Sequence, residues 1–72
     1  MFAKAENITM QLSGVHDAAT QKAAVQALRN IPGVRTVSVD RHSAVARVTF
    51  VPEKTTVPVM TEALRNAGFP VV

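Results

Sequence analysis

The stretch Ser13-Gly14-Val15-His16-Asp17-Ala18-Ala19-Thr20 sets an imidazole beside a carboxylate, with a hydroxyl three residues further on. An imidazole nitrogen and a carboxylate oxygen suit a borderline ion such as Zn(II), Ni(II) or Cu(II). Two ligands from one chain leave at least two positions for water or a partner, so such a site would hold its ion only modestly. The same residues have a plainer reading. Aspartate just before a helix accepts backbone amides as an N-cap, its commoner use at that position, and His16 reads equally as an exposed loop histidine. Other chemistries find less. Ser13, His16 and Asp17 are too close in sequence to imply a catalytic triad, and there is no glycine-rich phosphate loop, so the reading is not an enzyme. His42 sits in a second turn, expected at the far end of the sheet, about 17 Å from His16. Met10 and Met60 fall on inward stripes and read as core rather than as thioether ligands.

The elements that must hold this loop are legible from periodicity. Ile8, Met10 and Leu12 alternate with Thr9 and Gln11, the period of a half-buried strand that Ser13-Gly14 ends. From Asp17 the period changes: Ala24, Val25 and Leu28 share one helical stripe, Lys22, Gln26 and Arg29 the opposite one. Ile31-Pro32-Gly33 stops that helix. A second strand runs to Asp40, a turn spans Asp40–Ser43, and a third strand runs from Val45 to Val51. Thr56 is expected to cap a second helix, with Pro58 in its first turn and Val57, Met60, Leu64 and Ala67 buried. After Gly68, Phe69-Pro70-Val71-Val72 reads as a short edge strand. Ala27-Leu28-Arg29-Asn30 recurs as Ala63-Leu64-Arg65-Asn66, half a chain later. The order strand, helix, strand, strand, helix, strand with this echo predicts an α+β ferredoxin-like sandwich: a four-stranded antiparallel sheet with both helices on one face. The open face should carry Thr9, Gln11, Thr36, Ser38, Val45, Arg47 and Thr49.

Composition bounds the rest. With 72 residues, a single domain over 1–72 is expected. Hydrophobic residues make up 47% and charged residues 18%, a globular balance. There is no tryptophan or tyrosine, which leaves an aliphatic core with Phe2, Phe50 and Phe69. The absence of cysteine removes disulfides, thiolate metal sites and cysteine nucleophiles. A formal charge of +3 from scattered lysines and arginines argues little for nucleic acid and allows weak attraction to an acidic protein surface. No run approaches the roughly 20 apolar residues of a membrane span, and no apolar signal core precedes Gln11; a soluble cytoplasmic protein is expected.

Taken together, ITMQLSGV, ALRNIPGV, VSVD, ARVTFVPEKT and ALRNAGFPV resemble, in order and spacing over nearly the whole chain, the heavy-metal-associated domain of small copper chaperones, mercury-binding proteins and the N-terminal modules of metal-pumping ATPases. That family's chemistry resides in G-M-x-C-x-x-C, whose thiolates hold Cu(I), Zn(II) or Hg(II). Here the matching residues are Gly14, Val15, His16, Asp17, Ala18, Ala19 and Thr20, so Asp17 and Thr20 stand at the two cysteine positions. Oxygen donors cannot replace thiolates for soft ions. The resemblance implies a docking or regulatory module in copper or heavy-metal handling that has lost its thiols. Its partner would be a metal-transporting ATPase or another metal-handling domain, met through Val15, His16, Ala18, Ala19 and Lys22. The alternative is a metal-binding or metal-transfer protein using His16 and Asp17. RNA-recognition modules share the topology but stack bases on sheet-face aromatics, which the expected open face lacks.

Overall fold

The computed structural model describes residues 4–72; Phe2, expected in the core, lies outside them. The elements are β1 (Glu6–Gln11), α1 (Ala18–Arg29), β2 (Val34–Asp40), β3 (Val45–Phe50) and α2 (Val57–Asn66). The sheet has the order β1-β3-β2, with β3 antiparallel to both neighbours. Alternation along the strands sets its two faces. Met10, Val39, Ala46, Val48 and Phe50 are buried, and they join Ala24 and Leu28 of α1 and Met60 and Leu64 of α2 in one core cluster. Both helices therefore cover the same face. Phe50 and Phe69 are buried as expected, and so are Met10 and Met60. On the other face Thr9, Gln11, Thr36, Ser38 and Arg47 are exposed, and Val45 and Thr49 half-buried.

The sheet departs from the expected four strands. The C-terminal segment makes a single bridge, Val71 against Leu12. Two backbone bonds flank it: Ser13 donates to the Pro70 carbonyl at 2.9 Å, and Val72 donates to the Gln11 carbonyl at 2.8 Å. Pro70 has no N–H to extend the ladder, and β1 turns away at Ser13-Gly14, so the fourth position is a tether rather than a strand.

Helix α2 also differs at its ends. Val57 is 40% exposed and Ala67 is exposed; the fully buried residues are Met60 and Leu64. Val57 lies in the first turn and Ala67 is the C-cap, so both are at the ends of the helix, outside the span from Met60 to Leu64 that is buried. Thr56 is the N-cap but makes no side-chain capping bond. The Ile31-Pro32-Gly33 turn ends α1 as read, and Gly33 has φ +99, where a side chain would meet the Lys54 Cβ at 2.7 Å. Glycine is needed there on both counts.

The turn between β2 and β3 is not at the far end of the sheet. Gln11 pairs with Val45, the Leu12 amide donates to the Ala44 carbonyl at 2.7 Å, and the Gln11 side chain donates to the Ser43 carbonyl at 2.6 Å. Strands β1 and β2 are both antiparallel to β3, so they run in the same direction. The end of β1, the β2–β3 turn and the start of α1 therefore share one end of the molecule, and His42 belongs to that end.

Candidate functional site

The loop between β1 and α1 is built from both sides. Gly14 adopts φ +91, and a Cβ there would come within 3.2 Å of the Gly68 carbonyl and 3.5 Å of Phe69. Glycine thus lets the segment after α2 close against the loop, and Phe69 packs beside it as expected. Val15 is 7% exposed and belongs to the core. It anchors the loop and cannot present a surface, which corrects its place among the expected partner contacts.

At the start of α1 the chain closes a capping box. The Asp17 carboxylate accepts from the Thr20 amide at 2.8 Å and from the Thr20 hydroxyl at 2.8 Å. In return the Thr20 hydroxyl oxygen accepts from the amides of His16 at 3.0 Å and Asp17 at 3.1 Å. The cap is therefore reciprocal: of the orphan donors that begin the helix, the amides of Asp17 and Thr20 find partners within the loop. These bonds to the charged form hold the Asp17 carboxyl below its ordinary value, first through the Thr20 amide and then through the Thr20 hydroxyl. The reading of Asp17 as a cap agrees with this geometry. The reciprocal part played by Thr20 was not foreseen, although the spacing D-x-x-T at 17–20 carries its signal.

His16 lies outside this closure but is not adrift. Its Nδ1 is 3.0 Å from the Gly14 carbonyl oxygen. A carbonyl can only accept, so Nδ1 carries a proton, and in the neutral ring Nε2 keeps its lone pair. Nε2 stands 3.8 Å from Asp17 Oδ2, the carboxylate oxygen that the cap leaves free. Both side chains are largely exposed, at 73% and 55%. The structure thus brings His16, Asp17 and Thr20 together and splits their roles: Thr20 is fully engaged in the cap, and the outer atoms His16 Nε2 and Asp17 Oδ2 face each other outside it.

The chemistry of the donors decides what this loop can hold. Soft ions need thiolate or thioether sulfur; the chain has no cysteine, and Met10 and Met60 are buried in the core. The residues do not fit Cu(I) or Hg(II). Among the described residues no three histidine or carboxylate side chains converge on one point. Along α1, Ala18, Ala19 and Lys22 are exposed, and the only charged residues of the helix are Lys22 and Arg29. Beside the capped loop, then, is a low ridge of two alanines with one cation, Lys22. The open sheet face carries a separate shallow groove of about 580 Å³, lined in part by Asn7, Thr9, Ser38, Arg47 and Thr49; Arg47 is its one cation, and no residue of the loop reaches it. No helix among the described residues is long and apolar enough to cross a membrane.

Known structures share this architecture. Oxidized MerP from Ralstonia metallidurans CH34 superposes with a TM-score of 0.91 at 29% identity, covering 96% of each chain. A copper binding domain from HMA7, a P-type ATPase, gives 0.88 at 29% identity over 92% of this chain and 89% of that one. The water soluble region of the P-type ATPase CopA from Bacillus subtilis gives 0.91 at 28% identity; all of this chain is covered and 48% of that one. No curated protein matches the sequence. The family profile described as Heavy-metal-associated domain matches residues 9–70, and with the fold and the loop geometry this places the chain in the heavy-metal-associated domain family, as a member without cysteines.

Proposed function

We propose that this chain is a non-catalytic docking or regulatory module in metal handling, which meets its protein partner without carrying a soft metal ion. One observation carries the reading: Asp17 and Thr20, at the positions of the family's two cysteines, satisfy each other through a closed capping box. The loop needs no ligand to hold its shape. Ala18 and Ala19 permit close approach, and Lys22 offers a charge to an acidic partner. The similarity to domains of P-type ATPases supports an ATPase or another metal-handling domain as that partner, on the cytoplasmic side.

The test is an amide-resolved NMR titration of the labelled chain with the soluble metal-binding region of a copper-transporting ATPase, in the presence of a chelator. The expected result is saturable shifts at Ala18, Ala19 and Lys22, weakened by Lys22→Glu and by Ala19→Arg. Unchanged spectra with such partners, metal absent, would remove the proposal.

A further inference from the structure

We propose that the open face of the sheet is a docking surface of its own, which takes an extended segment of a partner protein by a carboxylate side chain set on Arg47. The register lays two rows of three residues across that face: Thr9, Arg47 and Ser38 stand abreast, and so do Asn7, Thr49 and Thr36. Together they line the shallow groove of about 580 Å³. Five of the six are short, neutral hydrogen-bonding residues, and Arg47 is the only charge among them.

What singles out Arg47 is the lack of a counterion. Opposite charges directly across a strand pair stabilise an exposed sheet face. The residues across from Arg47 are Thr9 and Ser38, and among the described residues the two ion pairs are His16–Asp17 and Glu62–Arg65. Asp40 stands on the same face one row further on, opposite Val45, but its carboxylate accepts from the His42 amide at 2.8 Å. Glu6 is opposite Phe50, on the side the helices cover. Arg47 is exposed, and no acid of its own chain among the described residues pairs with it.

A lone guanidinium among neutral donors matches one carboxylate, which it takes in a bidentate pair. The row of Thr49 supplies a second contact. Thr49 donates its hydroxyl to Asn7 Oδ1, which leaves the Asn7 amino group as a free donor, and Thr36 adds another hydroxyl. The two rows are two residues apart along β3, about 6.8 Å, which is also the spacing of alternate side chains in an extended chain. A segment lying along β3 with an acidic residue on Arg47 therefore sets the side chain two positions away over Asn7 and Thr36, where an amide or hydroxyl finds partners. The formal charge of +3 on this chain attracts an acidic segment. A nucleic acid finds neither stacking aromatics nor a row of cations on this face. The inference goes beyond the docking reading and does not depend on it.

The experiment is an NMR titration of the labelled full chain, following the amides and the Arg47 Nε–H. The probes are a blocked peptide, acetyl-Gly-Glu-Gly-Asn-Gly-amide, the same peptide with Gln for Glu, and inorganic phosphate. The expected result is saturable shifts at Thr9, Ser38, Arg47 and Thr49 with the glutamate peptide, weakened by salt, and none with the glutamine peptide. Arg47→Gln, at an exposed position where the spectrum reports an unchanged fold, binds about tenfold more weakly or worse, the loss of a hydrogen bond between charged groups. Lys22→Ala, on α1, binds the peptide like the parent. No saturable shift with the glutamate peptide, equal shifts with the glutamine peptide, full affinity in Arg47→Gln, loss of binding in Lys22→Ala, or phosphate bound as tightly as the glutamate peptide overturns the inference.

Discussion

Thr20→Val isolates the closure of the loop. Valine keeps the shape of threonine and has a similar helix propensity, so packing and intrinsic helicity hardly change. What disappears is one hydroxyl with three bonds: it accepts from the amides of His16 and Asp17 at 3.0 and 3.1 Å and donates to Asp17 Oδ1 at 2.8 Å. A buried hydrogen bond contributes roughly 0.5–1.5 kcal/mol net. These are exposed, and water replaces each partner, so the low end applies and the three together contribute about 1.5 kcal/mol. In a domain of this size that lowers Tm by roughly 6–12 °C. Differential scanning calorimetry at pH 7 measures it. A second readout is specific to the mechanism. Without the hydroxyl, Asp17 keeps the Thr20 amide but loses its second stabilising partner, so its carboxyl should titrate closer to the ordinary value of 3.8. A carbon-detected NMR titration of parent and variant reports that. An unchanged Tm together with an unchanged Asp17 titration would refute the claim that Thr20 closes the loop.

Other expectations follow from the same structure. Gly33→Ala places a Cβ at φ +99 against Lys54 and should cost about 2 kcal/mol or more in urea denaturation. Leu64→Ala empties a fully buried position and should cost about 2–5 kcal/mol, enough to leave a domain this small partly unfolded. Asp17 and Asp40 are both held below their ordinary value, by the Thr20 amide and by the His42 amide respectively. Each therefore contributes stability that is present above pH 3.8 and is lost as pH falls through its lower folded value; Asp40→Asn should flatten that part of a Tm–pH curve. Asp17→Cys combined with Thr20→Cys should confer Cu(I) binding measurable by competition with a chromophoric chelator, because the tips of these two side chains already meet.

Much of the fold was legible because period and burial coincide. The alternations Met10/Leu12 and Ala46/Val48/Phe50 and the stripe Ala24/Leu28 are buried as read. Failures came where a residue sits at the end of an element. Val57 and Ala67 keep the helical spacing, yet they stand at the two ends of α2 and are exposed. Pattern alone gives no length to the pairing of Phe69–Val72, which depends on where β1 turns away. The place of His42 was in principle available: two strands antiparallel to the same third strand must run alike, which sets the β2–β3 turn beside the end of β1. In the loop, aspartate before a helix named its own function. The orientation of His16 depends on a carbonyl two residues back and left no trace in sequence.

A loop closed by a carboxylate and a hydroxyl responds to a different set of stimuli from one closed by two thiolates. Thiols change with oxidants; neither partner of the bond between Thr20 and Asp17 is a thiol, so the cap that closes this loop is the same in an oxidising and in a reducing environment.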